Sequence, residues 1–216
     1  ANSTTQNITV SVNNLNDNNP VITSASSFTV DENQTAIGTV TATDADGDNL
    51  SYSLSSPDML IDPTSGLIVF TSSPDYESTN AYSALITVSD GTNTSSQLIT
   101  VNINNLNDNN PVITSNNSFT ADENQTAIGT VTATDADGDA ITFNIIGSDI
   151  LINSSGVLTF SSAPDYETKP SYSATVTATD GTNSVEQTIN ITVSNINEAP
   201  SFTSNATFTA DENQTA

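Results

Sequence analysis

Acidic residues recur in short motifs at corresponding positions along this chain of 216 residues. An Asp-x-Asp pair occurs at 44–46 and again at 135–137, and an Asp-Tyr-Glu triplet occurs at 75–77 and again at 165–167. The chain has no His and no Cys, so these motifs offer oxygen ligands only. Clusters of carboxylate and amide oxygens suit a hard cation, Ca²⁺ above all. Bringing such carboxylates together without a cation would cost Coulomb repulsion.

The overall charge excludes several classes of partner and reaction. Asp and Glu number 25 against a single base, Lys169, and the net charge is −24. Nucleic acid is excluded as a partner, and so is an anionic membrane surface, because both require clustered Lys and Arg. Disulfides need Cys, and the Ser-His-Asp triad needs His. The remaining catalytic candidates are carboxylate pairs such as those of glycoside hydrolases. Each pair recurs along the chain, whereas a catalytic site is normally built once, so we expect that the protein is not an enzyme.

The chain is a tandem repeat. The eighteen residues 31–48 read DENQTAIGTVTATDADGD and return unchanged at 122–139, and a third copy begins at Asp211. We therefore expect two whole repeats at 20–108 and 109–198. Residues 1–19 match the last strand and linker of a preceding repeat, and residues 199–216 match the start of a following one. This is the pattern of a segment from a longer array.

Each repeat is predicted to be all-β. Residues 82–88 and 99–103 alternate between two kinds of side chain with a period of two, which is typical of a half-buried strand. The run Ile37–Thr43 alternates in the same way and is predicted as one strand. Shorter runs are predicted as strands at 21–23, 28–30, 50–54, 59–61 and 67–71. About seven strands in ~90 residues is typical of an Ig-like sandwich. The predicted fold is tandem Greek-key β-sandwiches arranged end to end.

These motifs together resemble the cadherin repeat in its bacterial form. The order is a Glu-Asn pair at 32–33, then Asp-x-Asp, then Asp-x-Glu, then a late aspartate, then the linker NLNDNNP at 105–111. The second repeat carries the same motifs, with Glu123-Asn124 and Asp180, and the linker also occurs at 14–20. The resemblance covers essentially the whole chain. It implies that Ca²⁺ binds where successive repeats meet.

The ligands at the middle linker are carried over from the family residue by residue. The resemblance implies three Ca²⁺ ions there, so that seven carboxylates would be nearly neutralised by six positive charges. The residues are Glu32, Asp75 and Glu77 from the first repeat, Asn107, Asp108 and Asn109 from the linker, and Asp135, Asp137 and Asp180 from the second repeat.

The two outer linkers are expected to hold partial sites. The first would use Asn16, Asp17, Asn18, Asp44, Asp46 and Asp90, and the third would use Glu123, Asp165, Glu167, Asn197 and Glu198. The linker aspartate is replaced by Glu198 in the third, which puts its geometry in doubt. Asp48 and Asp139 are interpreted as turn residues rather than ligands, and Asp31, Asp122 and Asp211 as solvated.

The sequence favours a calcium-rigidified structural repeat of a large bacterial extracellular adhesin or surface fibre, acting as a stiff spacer. The alternative is a calcium-dependent module for carbohydrate binding or homophilic cell–cell adhesion. Expected partners are neighbouring repeats of the same chain, with like chains in a fibre or a surface glycan as further possibilities. No run approaches the ~18 apolar residues of a membrane span. The expected location is extracellular or at the cell surface.

Overall fold

In a computed structural model of the chain, the structure describes residues 1–203 together with 207, 209 and 212. The chain divides into two compact units, Ala1–Asp108 and Asn109–Ala216. The first unit contains strands β1 to β9: β1 Val21–Ile22, β2 Ser27–Asp31, β3 Ala36–Thr39, β4 Ala42–Thr43, β5 Ser51–Ser55, β6 Met59–Ile61, β7 Leu67–Phe70, β8 Ala81–Ser89 and β9 Thr94–Asn104.

The first unit is a sandwich of a four-stranded and a three-stranded sheet. The four-stranded sheet has the order β2-β9-β8-β5, in which β2 runs parallel to β9 and the other pairs are antiparallel. The three-stranded sheet has the order β3-β7-β6, and β1 pairs separately with β4. Because non-consecutive strands are neighbours, this is the Greek-key connectivity that the sequence predicts.

Alternating apolar residues of both sheets form the core of this unit. Ile86 on β8, Ile99 on β9 and Ile68 on β7 are almost fully inaccessible to solvent. The ring of Phe70 packs edge-on against Tyr82 with 4.9 Å between ring centroids. The prediction of half-buried strands at 82–88 and 99–103 is confirmed.

The predicted single strand Ile37–Thr43 is two strands in the structure. Its first part, β3, pairs with β7 through a register shift between Ala36 and Gly38, and its second part, β4, pairs with β1. Between them Val40 donates its N–H to Gly66 O at 2.9 Å. The run therefore leaves one sheet and joins another, which a period of two along the sequence does not reveal.

The second unit repeats this architecture strand for strand. Its strands are β10 Val112–Ile113, β11 Ser118–Asp122, β12 Ala127–Thr130, β13 Ala133–Thr134, β14 Thr142–Ile146, β15 Ile150–Ile152, β16 Val157–Phe160, β17 Ser171–Thr179 and β18 Ser184–Ser194. The sheet orders are β11-β18-β17-β14, β12-β16-β15 and β10-β13. Gly129 on β12 lies under the ring of Phe119, where an added Cβ would come within 2.9 Å of the ring.

The segment before the first unit's strands is not part of a sheet. Residues 1–19 contain no strand, and Ile8, Val10 and Val12 expose 79–90% of their surface. A strand requires a neighbouring strand for its ladder of hydrogen bonds, and among the residues that the structure describes no strand pairs with this segment. The predicted start of a further repeat at 199–216, including Asp211, falls mostly outside the described residues.

Candidate metal centre

In the first unit, Glu32 is a buried carboxylate beside two other acids. Glu32 exposes 1% of its surface, and one carboxylate oxygen from each of Glu32, Asp75 and Glu77 lies within 4.8 Å of the others. The Tyr76 N–H donates to Glu32 Oε2 at 2.8 Å, and the Leu106 N–H donates to Glu32 Oε1 at 2.7 Å. Three acids of the predicted set are thus gathered within one unit.

The Glu-Asn pair is placed by a turn at the end of β2. Asn33 has a φ of 64°, a left-handed conformation that asparagine adopts more readily than most residues. Its N–H donates to Pro74 O, and its side-chain amide donates to Asp108 Oδ2. The Asp108 carboxylate of the linker is therefore held beside the Glu-Asn pair of its own unit.

The same arrangement recurs in the second unit. Glu123 is 1% exposed and clusters with Asp165 and Glu167. Asn124 has a φ of 63° and donates its side-chain amide to Glu198 Oε1 at 2.8 Å. Glu198 thus makes the contact that Asp108 makes in the first unit, despite its longer side chain. Asn197 is exposed to solvent.

A second cluster in the first unit lies where the preceding linker meets the sandwich. Asp44, Asp46 and Asp48 each bring one carboxylate oxygen within 4.8 Å of the others. Asp46 Oδ2 accepts N–H bonds from Asp17 at 3.0 Å and Asn18 at 2.8 Å. The Asn18 N–H and side-chain amide hold the pKa of Asp46 below its ordinary value. The linker is thus fastened to the Asp-x-Asp loop through its backbone.

The late aspartate, Asp90, organises the loop next to this cluster. Asp90 is 8% exposed, and its Oδ1 accepts the N–H groups of Thr92 at 2.7 Å and Asn93 at 2.6 Å. Burial raises its pKa, but these N–H bonds outweigh burial and the pKa of Asp90 is lowered. Asn93 donates its amide to Asn16 Oδ1 at 2.9 Å and to Asn18 O at 3.2 Å.

The second unit has the corresponding cluster, formed by Asp135, Asp137 and Asp139. Asn109 donates its N–H to Asp137 Oδ2 at 2.9 Å and its amide to Asp137 Oδ1 at 2.8 Å. Asp180 Oδ1 accepts the Asn183 N–H at 2.6 Å, and the Asn183 amide donates to Asn109 O at 3.1 Å. Four residues of the predicted middle set, namely Asn109, Asp135, Asp137 and Asp180, thus lie together around one end of the linker.

These clusters fit a hard cation on two observations. Their donors are carboxylate and amide oxygens, which is the ligand chemistry of Ca²⁺. Among the described residues, the buried oxygens Asp44 Oδ2 and Asp135 Oδ2 accept no hydrogen bond. Buried carboxylate oxygens are costly without a partner, and the same atom is unpartnered in both repeats.

Sequence reasoning missed two kinds of residue that the structure brings to the clusters. Asn93 and Asn183 fasten the linker to the late-aspartate loop, and the available signal is the tetrapeptide Asp-Gly-Thr-Asn, identical in both repeats. Asp48 and Asp139, interpreted from the sequence as turn residues, also place a carboxylate oxygen beside those of the Asp-x-Asp pairs. Burial, followed by repulsion from Asp44, raises the pKa of Asp48.

Two family models match successive parts of the chain. Residues 26–104 match the cadherin domain, and residues 107–192 match a bacterial Ig domain. Among curated proteins, mouse Protocadherin Fat 4 is 33% identical over 224 residues, covering 93% of this chain and 4% of that protein. Chitinase A of Pseudoalteromonas piscicida is 27% identical over 163 residues, covering 74% of this chain and 20% of that protein. The chain thus spans a fifth or less of these relatives.

Solved structures of cadherin ectodomains share the fold. Human protocadherin-24 EC1-2 superposes with a TM-score of 0.72 at 20% identity, covering 82% of this chain and 98% of that one. Mouse cadherin-23 EC22-24 gives a TM-score of 0.72 at 24% identity, covering 83% and 68% of the two chains. At these identities the likeness shows the fold alone.

The chain is therefore a tandem array of β-sandwich repeats that are similar to the cadherin domain in one repeat and to a bacterial Ig domain in the other. Such domains are typical of extracellular and surface proteins and of adhesion modules. None of the elements in the described part of the chain is a helix with the length and hydropathy to cross a membrane.

Proposed function

We propose that this chain is a segment of an extracellular adhesin or surface fibre in which Ca²⁺ stiffens the connection between successive repeats, so that the array acts as a spacer. The observation that carries the proposal is the recurrence of the acidic clusters. Each repeat has one cluster beside the linker that precedes it and another beside the linker that follows it. A site that is copied with every repeat suits a role in the array as a whole.

Two adjacent linker residues contact acidic clusters that belong to successive repeats. Within the first unit Asp108 is bonded to Asn33, and within the second unit the next residue, Asn109, is bonded to Asp137. Adjacent residues therefore belong to acidic clusters of different repeats. When bound, Ca²⁺ supplies the positive charge that offsets carboxylate repulsion. The chain's residues supply the oxygens and hold them at the linker, so ion binding restricts the linker's freedom.

A non-enzymatic role follows from the same recurrence. The match to Chitinase A covers a fifth of that protein, and the carboxylate pairs of this chain recur in both repeats as parts of the linker clusters. A catalytic site is normally built once, with groups whose environments differ. We therefore propose that the acids bind metal and do not carry out hydrolysis.

The test combines calorimetry with small-angle scattering of the whole chain. Ca²⁺ binding should give a measurable heat in calorimetry. In scattering, the chain should have a larger maximum dimension and a more rigid profile with Ca²⁺ than with chelator. At a free Ca²⁺ concentration 100 times the dissociation constant, each site would add about 2.7 kcal/mol to the stability of the bound arrangement. Asp75→Asn should weaken both responses, whereas Asp58→Asn, which removes an exposed acid outside the clusters, should not. An equally rigid profile in chelator would reject the stiffening role.

A further inference from the structure

We propose that Glu32 and Glu123 are positioning residues that assemble the acidic clusters before any ion is present. As metal ligands they would act only when Ca²⁺ is bound. As positioning residues they act in the calcium-free protein, by accepting backbone N–H groups from the segments that carry the other acids. The proposal extends the calcium-binding role proposed above and rests on it for its functional meaning, but its structural content can be tested alone.

In the first repeat, Glu32 joins two segments that are far apart in sequence. Its Oε2 accepts the N–H of Tyr76, the residue between Asp75 and Glu77, at 2.8 Å. Its Oε1 accepts the N–H of Leu106, two residues before Asp108, at 2.7 Å. One carboxylate therefore fixes the backbone next to three further acids of the predicted set.

The second repeat makes the same pair of bonds with a different linker sequence. Glu123 Oε2 accepts the Tyr166 N–H at 3.0 Å, and Glu123 Oε1 accepts the Ile196 N–H at 2.7 Å. Leu106 is replaced by Ile196 and the linker aspartate by Glu198. Because both bonds come from backbone N–H groups, they do not depend on the linker side chains.

Burial makes these bonds important for the calcium-free protein. Glu32 and Glu123 each expose 1% of their surface, and a buried charge is costly unless hydrogen-bonded. Each carboxylate oxygen has two lone pairs, so accepting one N–H leaves it able to bind a metal as well. Positioning and ion binding are therefore compatible in one side chain, and the clusters need not be built by the ion.

The glutamine variant tests the two hydrogen bonds at nearly constant side-chain shape. The amide that Glu32→Gln introduces has one acceptor and one NH₂ donor in nearly the same shape as the carboxylate. The NH₂ group would face a backbone N–H, so either Tyr76 or Leu106 loses its acceptor whichever way the amide turns. Bonds to charged acceptors are stronger than neutral ones, and we expect the affected amides to exchange roughly tenfold to a hundredfold faster.

The experiment is amide hydrogen exchange by NMR on the whole chain in chelator. In the wild type, Leu106 N–H should exchange roughly tenfold to a hundredfold more slowly than Leu15 N–H, which lies in the same sequence, NNLNDNN. Among the described residues, Leu15 N–H has no carboxylate acceptor. In Glu32→Gln, protection should fall at Tyr76 and Leu106 and stay unchanged at Tyr166 and Ile196.

Two outcomes would overturn the proposal, and a third bears on the calcium role alone. Equal exchange at Leu106 and Leu15 in the wild type would overturn it without any variant, so a Glu32→Gln chain that fails to fold does not protect it. Unchanged exchange at Tyr76 and Leu106 in a folded Glu32→Gln chain would overturn it as well. A wild-type chain that binds no Ca²⁺ in calorimetry would reject the calcium role, while the amide rates in chelator would still decide whether these glutamates position the clusters.

Discussion

Asn124 donates its side-chain amide to Glu198 Oε1 at 2.8 Å, which is the contact that Asn33 makes with Asp108 one repeat earlier. From the sequence alone, the geometry of a metal site at the third linker is in doubt because Glu198 replaces the linker aspartate. The structure gives the longer side chain the same asparagine partner. In both places the asparagine has a positive φ, so its backbone conformation and its amide contact come from one residue.

The two contributions of Asn124 can be separated by substitution. Asn124→Gly keeps the left-handed conformation without strain and loses the amide contact, whereas Asn124→Ala loses both. A left-handed alanine costs roughly 1–2 kcal/mol, so Asn124→Ala should be the less stable variant by about that amount. Thermal or urea unfolding in chelator measures the difference. Equal stability of the two variants would mean that the backbone conformation carries no cost here.

Most of the fold follows from the sequence because alternation and turn residues act locally. The long strands β8 and β9 are marked by a period of two, and the acidic motifs are visible as repeated letters. The break between β3 and β4 is not visible, since both halves keep the same period and only their partners β7 and β1 differ. Pairing between distant strands decides it.

The candidate site could be predicted in residue type but not in its hydrogen bonding. Glu32 is in a recognisable motif, yet its burial and its bonds to Tyr76 and Leu106 depend on segments 44 and 74 residues away. Asn93 likewise contacts Asn18 across 75 residues. Such contacts exist only once the sandwich brings the loops together, and no local pattern encodes them.

Both repeats place a glycine under an aromatic ring. An added Cβ at Gly129 would come within 2.9 Å of Phe119, closer than carbon atoms pack. Gly129→Ala should therefore destabilise the second unit by about 1–3 kcal/mol through overpacking. Urea unfolding measures the loss. Adding Phe119→Leu should recover part of it, and purely additive effects in this double-mutant cycle would show that the ring is not the cause.

Asp46 and Asp48 should titrate in opposite directions in the calcium-free protein. The Asn18 N–H and amide lower the pKa of Asp46 from 3.8, while burial and then repulsion from Asp44 raise the pKa of Asp48 from 3.8. Carboxyl-carbon NMR titration in chelator should place the Asp48 midpoint above the Asp46 midpoint. The reverse order would contradict the hydrogen bonding described for the linker.

The sign of the pH effect on stability follows from these directions. Because the folded pKa of Asp46 is depressed, its contribution is present above the unfolded pKa and is lost as pH falls through the folded value. The hydrogen-exchange protection of the Asn18 backbone N–H should therefore persist from neutral pH to below pH 3.8 and disappear in stronger acid. Asp46→Asn should lose that dependence on pH.

The unpartnered oxygen of Asp135 gives the sharpest test of metal binding. Asp135 Oδ2 is buried and accepts no hydrogen bond from the described residues, while Oδ1 accepts the Asp139 N–H at 3.3 Å. The amide of Asp135→Asn must place its NH₂ group at one of these two positions. It then either points a donor at the cation or removes the acceptor that shapes the loop. We expect a loss of roughly tenfold or more in Ca²⁺ affinity by calorimetry, which is about 1.4 kcal/mol.

The matched controls make this result specific to the cluster. Asp58→Asn removes the same charge from an exposed position outside the clusters and should leave Ca²⁺ affinity within about twofold, since salt and water weaken the interactions of exposed charges. Asp44→Asn makes the corresponding change in the first repeat, whose predicted set of ligands is smaller, and should affect a weaker binding step. Equal losses in Asp135→Asn and Asp58→Asn would mean that net charge, and not the placement of the Asp135 oxygen, governs calcium binding.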